Sequence, residues 1–451
     1  MSALKRIFVW ILILIPPITF YVLLARSIDG LPIGDDYGAI LGFLLKLKQE
    51  SGFQRFIEVF SHQHNEYRLM FENAIVASQF AILGHTDLLA LKILGDLLII
   101  PLFCVMYLIW RAFGRPADYT LMAFVPVSWL LFQLQYEGTL NYTMAGLEII
   151  PATLFAVLTC YLASRESRVA FVASLFSLAL CVGSNGNGLF MIPVGAILFL
   201  QRKEYRRLAA WCCTSASAAF VYFHGYNFLT PSAANAHSKG VIMALLQHLN
   251  VAYALAFVGN NAAILNPWPA VFFGVVLISV FILATHDRLF SRNPALYYSA
   301  LFFFVTAAAV SGLRSSHGMP TALNSTYRLN STALLVLLYL YLADKVYDIR
   351  LRPFLLKASV GAVAVLVLAF NVESDRGGDK VLLLKKSRAE TSMSRWMRHE
   401  PRPSMTELIP DDLTAGRETV DSFWPDSFGT ILPDCIREGI YKLPELPEVE
   451  Q

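Results

Sequence analysis

The chain has 451 residues, of which 56% are hydrophobic and only 15% charged, and its formal net charge is +3. Soluble proteins carry about 25% charged residues, so this balance, with a mean hydropathy of +0.53, makes lipid the main solvent of the molecule. It excludes a soluble single-domain enzyme, a nucleic-acid binder and, with six thinly scattered cysteines, a disulfide scaffold.

A spanning helix needs about 20 mostly apolar residues, with roughly 17 to 25 tolerated. In chain order, spans are expected at Ile7 to Ala25, Ile93 to Trp110, Tyr119 to Gln133, Met144 to Ala163, Val169 to Val182 and Leu189 to Leu200. They continue at Leu208 to Tyr222, Trp268 to Ala284, Leu296 to Gly312, Ser331 to Leu342 and Leu356 to Phe370. The fold expected is an all-α integral membrane protein of about eleven transmembrane helices.

Lys5 and Arg6 precede the first span, which has no small-residue cleavage site and is read as a retained helix with its N-terminus in the cytoplasm. The clusters Arg111/Arg115, Arg165/Arg168, Arg202/Lys203/Arg206/Arg207, Arg288/Arg292 and Lys345/Arg350/Arg352 then share that side. Leu69 to Leu83 and Val241 to Val258 would break this alternation if they crossed, so both are placed outside, along or dipping into the surface.

Residues 1–370 read as one polytopic domain, with a large first outer loop, 27–91, that carries surface helices. Residues 371–451 read as an extracytoplasmic polar tail, with Gly377-Gly378 at the junction. Within the tail, Ser394 to His399 and Phe428 to Tyr441 are apolar enough to form a docked appendage, while other parts are expected to be disordered. Five cysteines fall in spans and only Cys435 lies in an exterior segment, and there is no Walker loop to drive an ATP pump.

The outer loop holds the densest chemistry. Gly34-Asp35-Asp36-Tyr37 places two adjacent carboxylates just beyond the first span, and an amphipathic stretch from Tyr37 to Phe60 follows. Ser61-His62-Gln63-His64-Asn65-Glu66-Tyr67-Arg68 then packs two imidazoles, a carboxylate and a guanidinium together. As a helix it would pair His62 with Glu66 and His64 with Arg68. A plainer role remains open for each: Asp35 and Asp36 as a solvated turn with a helix N-cap, the histidines as surface residues.

These two motifs, set in a large outer loop after a first helix that starts inside, resemble the GT-C superfamily of membrane glycosyltransferases, in particular bacterial members without an assigned substrate. Where those members carry a His, this chain has Tyr67. A weaker match is Ser325-Thr326-Tyr327-Arg328. The resemblance implies a polyprenyl-phosphate-linked sugar donor, a glycan or lipid acceptor, and an Asp general base, with Asp35 preferred over Asp36. It also implies residence in a bacterial inner membrane with the active site on the extracytoplasmic face.

Such a transfer needs a base for the acceptor hydroxyl and positive charge for the departing phosphate. Arg68, Arg314 and Arg328, with Tyr327 and Lys239, are the donor-phosphate candidates, although Arg314 and Arg328 also fit snorkelling residues at helix ends. Tyr37, His62, His64, Glu66 and His317 are expected to line the substrate pocket. A divalent metal is a further option, with Asp36, His62, His64 and Glu66 as candidate ligands. Asn141-Tyr142, after Glu137, and Ser184-Asn185-Gly186-Asn187-Gly188 either line a sugar pocket or form tight turns. Two other classes compete: a lipid or glycan transporter, for which Asp96 and Glu148 are the ionisable residues in or near spans, and a non-catalytic envelope assembly partner.

Overall fold

The computed structural model describes residues 2–227, 249–262, 267–348, 353–402 and 420–444. Among them the protein is all helical, with no strand. Seven stretches are long and apolar enough to cross a membrane: Ala3–Ser27, Leu88–Arg111, Ala117–Leu140, Thr143–Ala163, Pro267–His286, Pro294–His317 and Ser325–Asp348. The other four expected spans fall on shorter or more polar helices, namely Arg168–Ser184, Met191–Gln201, Tyr205–Phe223 and the first part of Pro353–Met397.

In chain order the helices are α1 Ala3–Ser27, α2 Phe43–Gln49, α3 Gly52–Ser61, α4 Met70–Leu83, α5 Leu88–Leu97, α6 Ile99–Arg111, α7 Ala117–Leu131, α8 Glu137–Leu140 and α9 Thr143–Ala163. They continue as α10 Arg168–Ser184, α11 Met191–Gln201, α12 Tyr205–Phe223, α13 Val251–Val258, α14 Pro267–His286 and α15 Leu289–Arg292. The last are α16 Pro294–Arg314, α17 Arg328–Asp348, α18 Pro353–Met397 and α19 Ile431–Arg437.

The described basic clusters gather at one end of the bundle, each beside an acidic or carbonyl partner, while Arg350 and Arg352 lie outside the described residues. Arg6 meets Asp118 at 3.1 Å, Arg115 meets Asp344 at 2.6 Å, Arg292 meets Asp344 at 2.8 Å and Lys345 meets Asp287 at 2.7 Å. Arg207 donates to the Arg165 carbonyl at 3.0 Å, and Arg202 to that of Ser164 at 2.8 Å. Asp344 is fully buried between two guanidinium groups, so its charge stays paired even when one of them is removed.

Beyond the opposite end lies a second core. Leu31, Ile33, Tyr37, Ile40 and Leu44 from the outer loop pack with Met393, Leu432, Cys435 and Tyr441 from the C-terminal part. The Phe428 ring stacks on Tyr37 at 4.4 Å, Gly34 N–H donates to the Ser422 carbonyl at 2.7 Å, and Tyr441 donates to that of Gly30 at 2.7 Å. The segment expected to dock, Phe428 to Tyr441, therefore completes the outer-loop core.

Two expectations about segment boundaries change. Gly377-Gly378 is no break, because α18 runs through it without interruption. Gly378 is needed for a different reason: its Cα lies against the Leu134 backbone, where a Cβ would collide. The described part of Val241 to Val258, α13, is sunk into the bundle with Ala256, Phe257 and Val258 buried, while residues 241–248 lie outside the described set. Asn250 caps this helix and is itself held by Ser311, whose hydroxyl bonds its carbonyl at 2.7 Å.

Candidate functional site

The two adjacent carboxylates point to different environments. Gly34, with φ +54°, turns the chain just before them. Asp36 is fully buried, and its oxygens accept from Ile33 N–H at 3.2 Å and from Met144 N–H at 2.9 Å. Met144 lies in the first turn of α9, where backbone donors lack helical partners, so Asp36 caps a helix far away in the chain. Burial raises its carboxyl to about 6, opposed by the Lys92 charge and by these N–H donors.

Asp35 keeps half its side chain exposed, and its Oδ1 lies 3.5 Å from His64 Nε2. Its backbone N–H donates to the Tyr142 hydroxyl at 2.5 Å. The hydrogen bond to His64 holds its carboxyl below the ordinary range against the effect of burial, and the Arg314 charge acts the same way. Of the pair, Asp35 is thus the ionised carboxylate within reach of solvent. Two residues on, a single π-helical turn begins, Tyr37–Gly42, with Asp36 at its N-cap, a wider geometry often found beside functional sites.

His64 reaches Asp35 because residues 62–69 do not continue α3. The helix ends at Ser61, Asn65 takes φ +49°, and His64 and Tyr67 exchange backbone hydrogen bonds of 3.0 and 2.8 Å. The expected pairings of His62 with Glu66 and of His64 with Arg68 are therefore replaced by a tight turn. The imidazole of His64 lies over Gly38, where a Cβ would come within 2.6 Å of it. A larger residue there would have to displace the ring.

His62 faces away from Asp35. Its Nδ1 meets Glu58 at 2.8 Å, Glu58 also binds Lys46 at 2.8 Å, and burial lowers the pKa of the imidazole. Tyr37 is likewise no pocket residue, being fully buried under Phe428. Arg68, expected at the phosphate, is buried and donates to the carbonyls of Val221, Tyr222 and His224 at 3.2, 2.9 and 2.6 Å. It closes the C-terminal end of α12, whose last carbonyls have no helical partner.

Arg314, at the end of α16, is the guanidinium that stands by Asp35. It donates to Glu66 at 2.9 Å and to the Tyr327 hydroxyl at 2.9 Å, and lies over the Tyr67 ring at 5.6 Å. Glu66, Tyr67 and Tyr327 thus hold one cation. Arg328 sits apart, donating to the Gln135 carbonyl at 2.8 Å, with Glu137 at 3.8 Å. His317 is exposed on the turn Ser315–His317 that follows α16. Lys239 lies outside the described residues.

Among the described residues, no group of three or more His, Cys, Asp and Glu side chains is close enough to hold a metal ion. The expected candidates are dispersed: Asp36 inward, His62 toward Glu58, His64 toward Asp35 and Glu66 toward Arg314.

Two buried ionisable side chains near the site, Lys92 and Glu72, stand out only in the structure, and Glu148 joins them. Lys92 reaches the Leu31 carbonyl at 2.9 Å and Asp29 and Asn141 at 3.4 Å each, tying α5 to both chain segments that hold Asp35. Glu72 is fully buried, and among the described residues neither of its carboxylate oxygens has a hydrogen-bond partner. Glu148 accepts from the Asn185 amide. A charged residue inside an apolar helical run is the signal that could have marked Lys92 and Glu72.

No family model matches the chain, and no curated protein matches it significantly.

Proposed function

We propose that this protein is an inverting membrane glycosyltransferase of the GT-C type, with eleven membrane crossings. It moves a sugar from a polyprenyl-phosphate donor to an envelope glycan or lipid acceptor. The observation that carries this reading is Asp35: an ionised, half-exposed carboxylate oriented by His64 in the field of Arg314, at the end of the bundle away from the basic clusters. The bias of Lys and Arg toward the cytoplasm supports a site on the extracytoplasmic face, and the likeness of its motifs to GT-C members supports a bacterial inner membrane.

In the reaction, an Asp35 oxygen takes the proton of the acceptor hydroxyl as the acceptor oxygen bonds to the anomeric carbon from the face opposite the phosphate. The bond from that carbon to the phosphate oxygen breaks, its electron pair stays on the phosphate, and the configuration inverts. Arg314, fixed by Glu66 and Tyr327, receives the charge that develops on the phosphate. Asp36 and Tyr142 act on Asp35 through the backbone, one anchoring the turn on α9 and the other holding the Asp35 N–H.

The test uses purified protein in liposomes with a panel of polyprenyl-phosphate-linked radiolabelled sugars and a membrane extract as acceptor source. Label moving to acceptor, with polyprenyl phosphate released in equal amount, is the expected result. Movement of the intact donor across the bilayer without that release would instead support the transporter reading, which draws on the buried Glu148 and Asp96.

A further inference from the structure

Beside Asp35 the outer loop, the helical bundle and the C-terminal tail enclose a small cleft of about 70 Å³. Gly34, Glu137, Asn141, Tyr142, Lys385 and Ser422 line it. It adjoins Asp35 through two of these: Gly34 precedes it in the chain, and Tyr142 accepts its N–H. The tail is fixed at the rim by the 2.7 Å bond from Gly34 N–H to the Ser422 carbonyl.

The lining says what chemistry fits. It offers one carboxylate, one ammonium, an amide, a phenol and a hydroxyl beside the apolar Ile33 and the bare backbone of Gly138, a set that is neutral overall. Glu137 opposes a phosphate there, and the guanidinium groups of Arg314 and Arg328 are bound to other partners. The hydroxyls of a neutral sugar meet the polar part of this lining and its C–H face meets the apolar part, whereas a free anion meets Glu137. The volume suits one edge of a sugar ring rather than a whole disaccharide.

We propose that this cleft is the acceptor subsite, that it takes a neutral hydroxylated sugar ring, and that the C-terminal tail forms its outer wall. The assignment rests on the reading of Asp35 as the base of a sugar transfer. It places donor and acceptor on different sides of Tyr142, with the phosphate toward Arg314 and the acceptor ring on the side of Gly34 and Ser422. It also gives the tail a part in choosing substrate.

The experiment is saturation-transfer NMR on the full chain in nanodiscs, with methyl glycosides of glucose, galactose, mannose, N-acetylglucosamine and rhamnose as probes. At least one glycoside should receive saturation from the wild-type protein. The signal should fall at least tenfold in Ser422→Trp, which fills the cleft from the tail side, and in Lys385→Met, and should persist in Asp35→Asn. Thermal melting of each variant checks that it is folded. If no glycoside binds, or if binding survives in both cleft variants, the subsite is overturned. Glycoside binding that depends on the cleft, in a protein that releases no polyprenyl phosphate, would overturn the transferase reading and leave a sugar-binding cleft standing.

Discussion

Nε2 of His64 stands 3.5 Å from Oδ1 of Asp35, and the two meet across Gly38 because no larger residue leaves the imidazole room. Gly38→Ala should therefore push His64 off the carboxylate while leaving the bundle intact. The expected outcome is a fall in transfer rate of about tenfold or more, with little change in melting temperature, read by parallel activity and melting measurements.

Asp36 should separate from Asp35 in the opposite sense. Replacing it by Ala leaves the buried N–H groups of Ile33 and Met144 without an acceptor, at about 1 to 3 kcal/mol for each. A lower melting temperature in detergent is predicted for Asp36→Ala. A variant as stable as the wild type would remove the capping role.

The pH dependence has two signs. His64 holds the Asp35 carboxyl below its ordinary value, so the acid limb of kcat/KM should lie below the usual carboxylate range near about 4. His64→Ala should move that limb to higher pH. Asp36 is raised to about 6 in the folded protein, so the folded state holds a proton that the unfolded state has given up. Its contribution to stability is present below about 4 and is lost as pH rises to about 6. Asp36→Asn should flatten that decline in a series of melting curves.

Arg314 and Arg68 should fail differently. Arg314→Ala removes the cation proposed to meet the leaving phosphate and should lower kcat/KM by about 10²- to 10³-fold, with Glu66→Gln giving a smaller loss through misplacement of Arg314. Arg68→Ala strips the donor from three carbonyls at the end of α12. Its predicted effect is a lower melting temperature, with the kcat/KM of the remaining folded protein nearly unchanged.

The orientation can be read chemically. In a cysteine-free background, Ser427→Cys on the exposed tail should react with a membrane-impermeant maleimide in intact cells, and Lys203→Cys only after permeabilisation. The reverse pattern would place Asp35 in the cytoplasm and remove the proposed function.

Much of the helical body was legible from apolar run length alone, since a chain in lipid must satisfy its backbone within each helix. The carboxylate pair and its imidazole neighbourhood were legible too, because charge at the edge of an apolar run is conspicuous. Their division of labour was not. Asp35 and Asp36 differ only in that Asp36 turns toward the start of α9, a contact made by residues more than a hundred positions apart. The turn from His62 to Leu69 escaped because Asn65 in a left-handed conformation broke a pattern that reads as a continuing helix. Arg68 looked like an anion ligand for the same reason a buried helix end found it useful: it presents several donors in one plane. The continuity of α18 was hidden by two adjacent glycines, of which Gly378 is small because it packs closely against Leu134.

The most direct measurement compares wild type with Asp35→Asn in liposomes, following release of polyprenyl phosphate from a radiolabelled sugar donor. The account predicts turnover in the wild type and a loss of about 10²- to 10⁴-fold in the variant at equal folded protein. Equal turnover in the two proteins would contradict it.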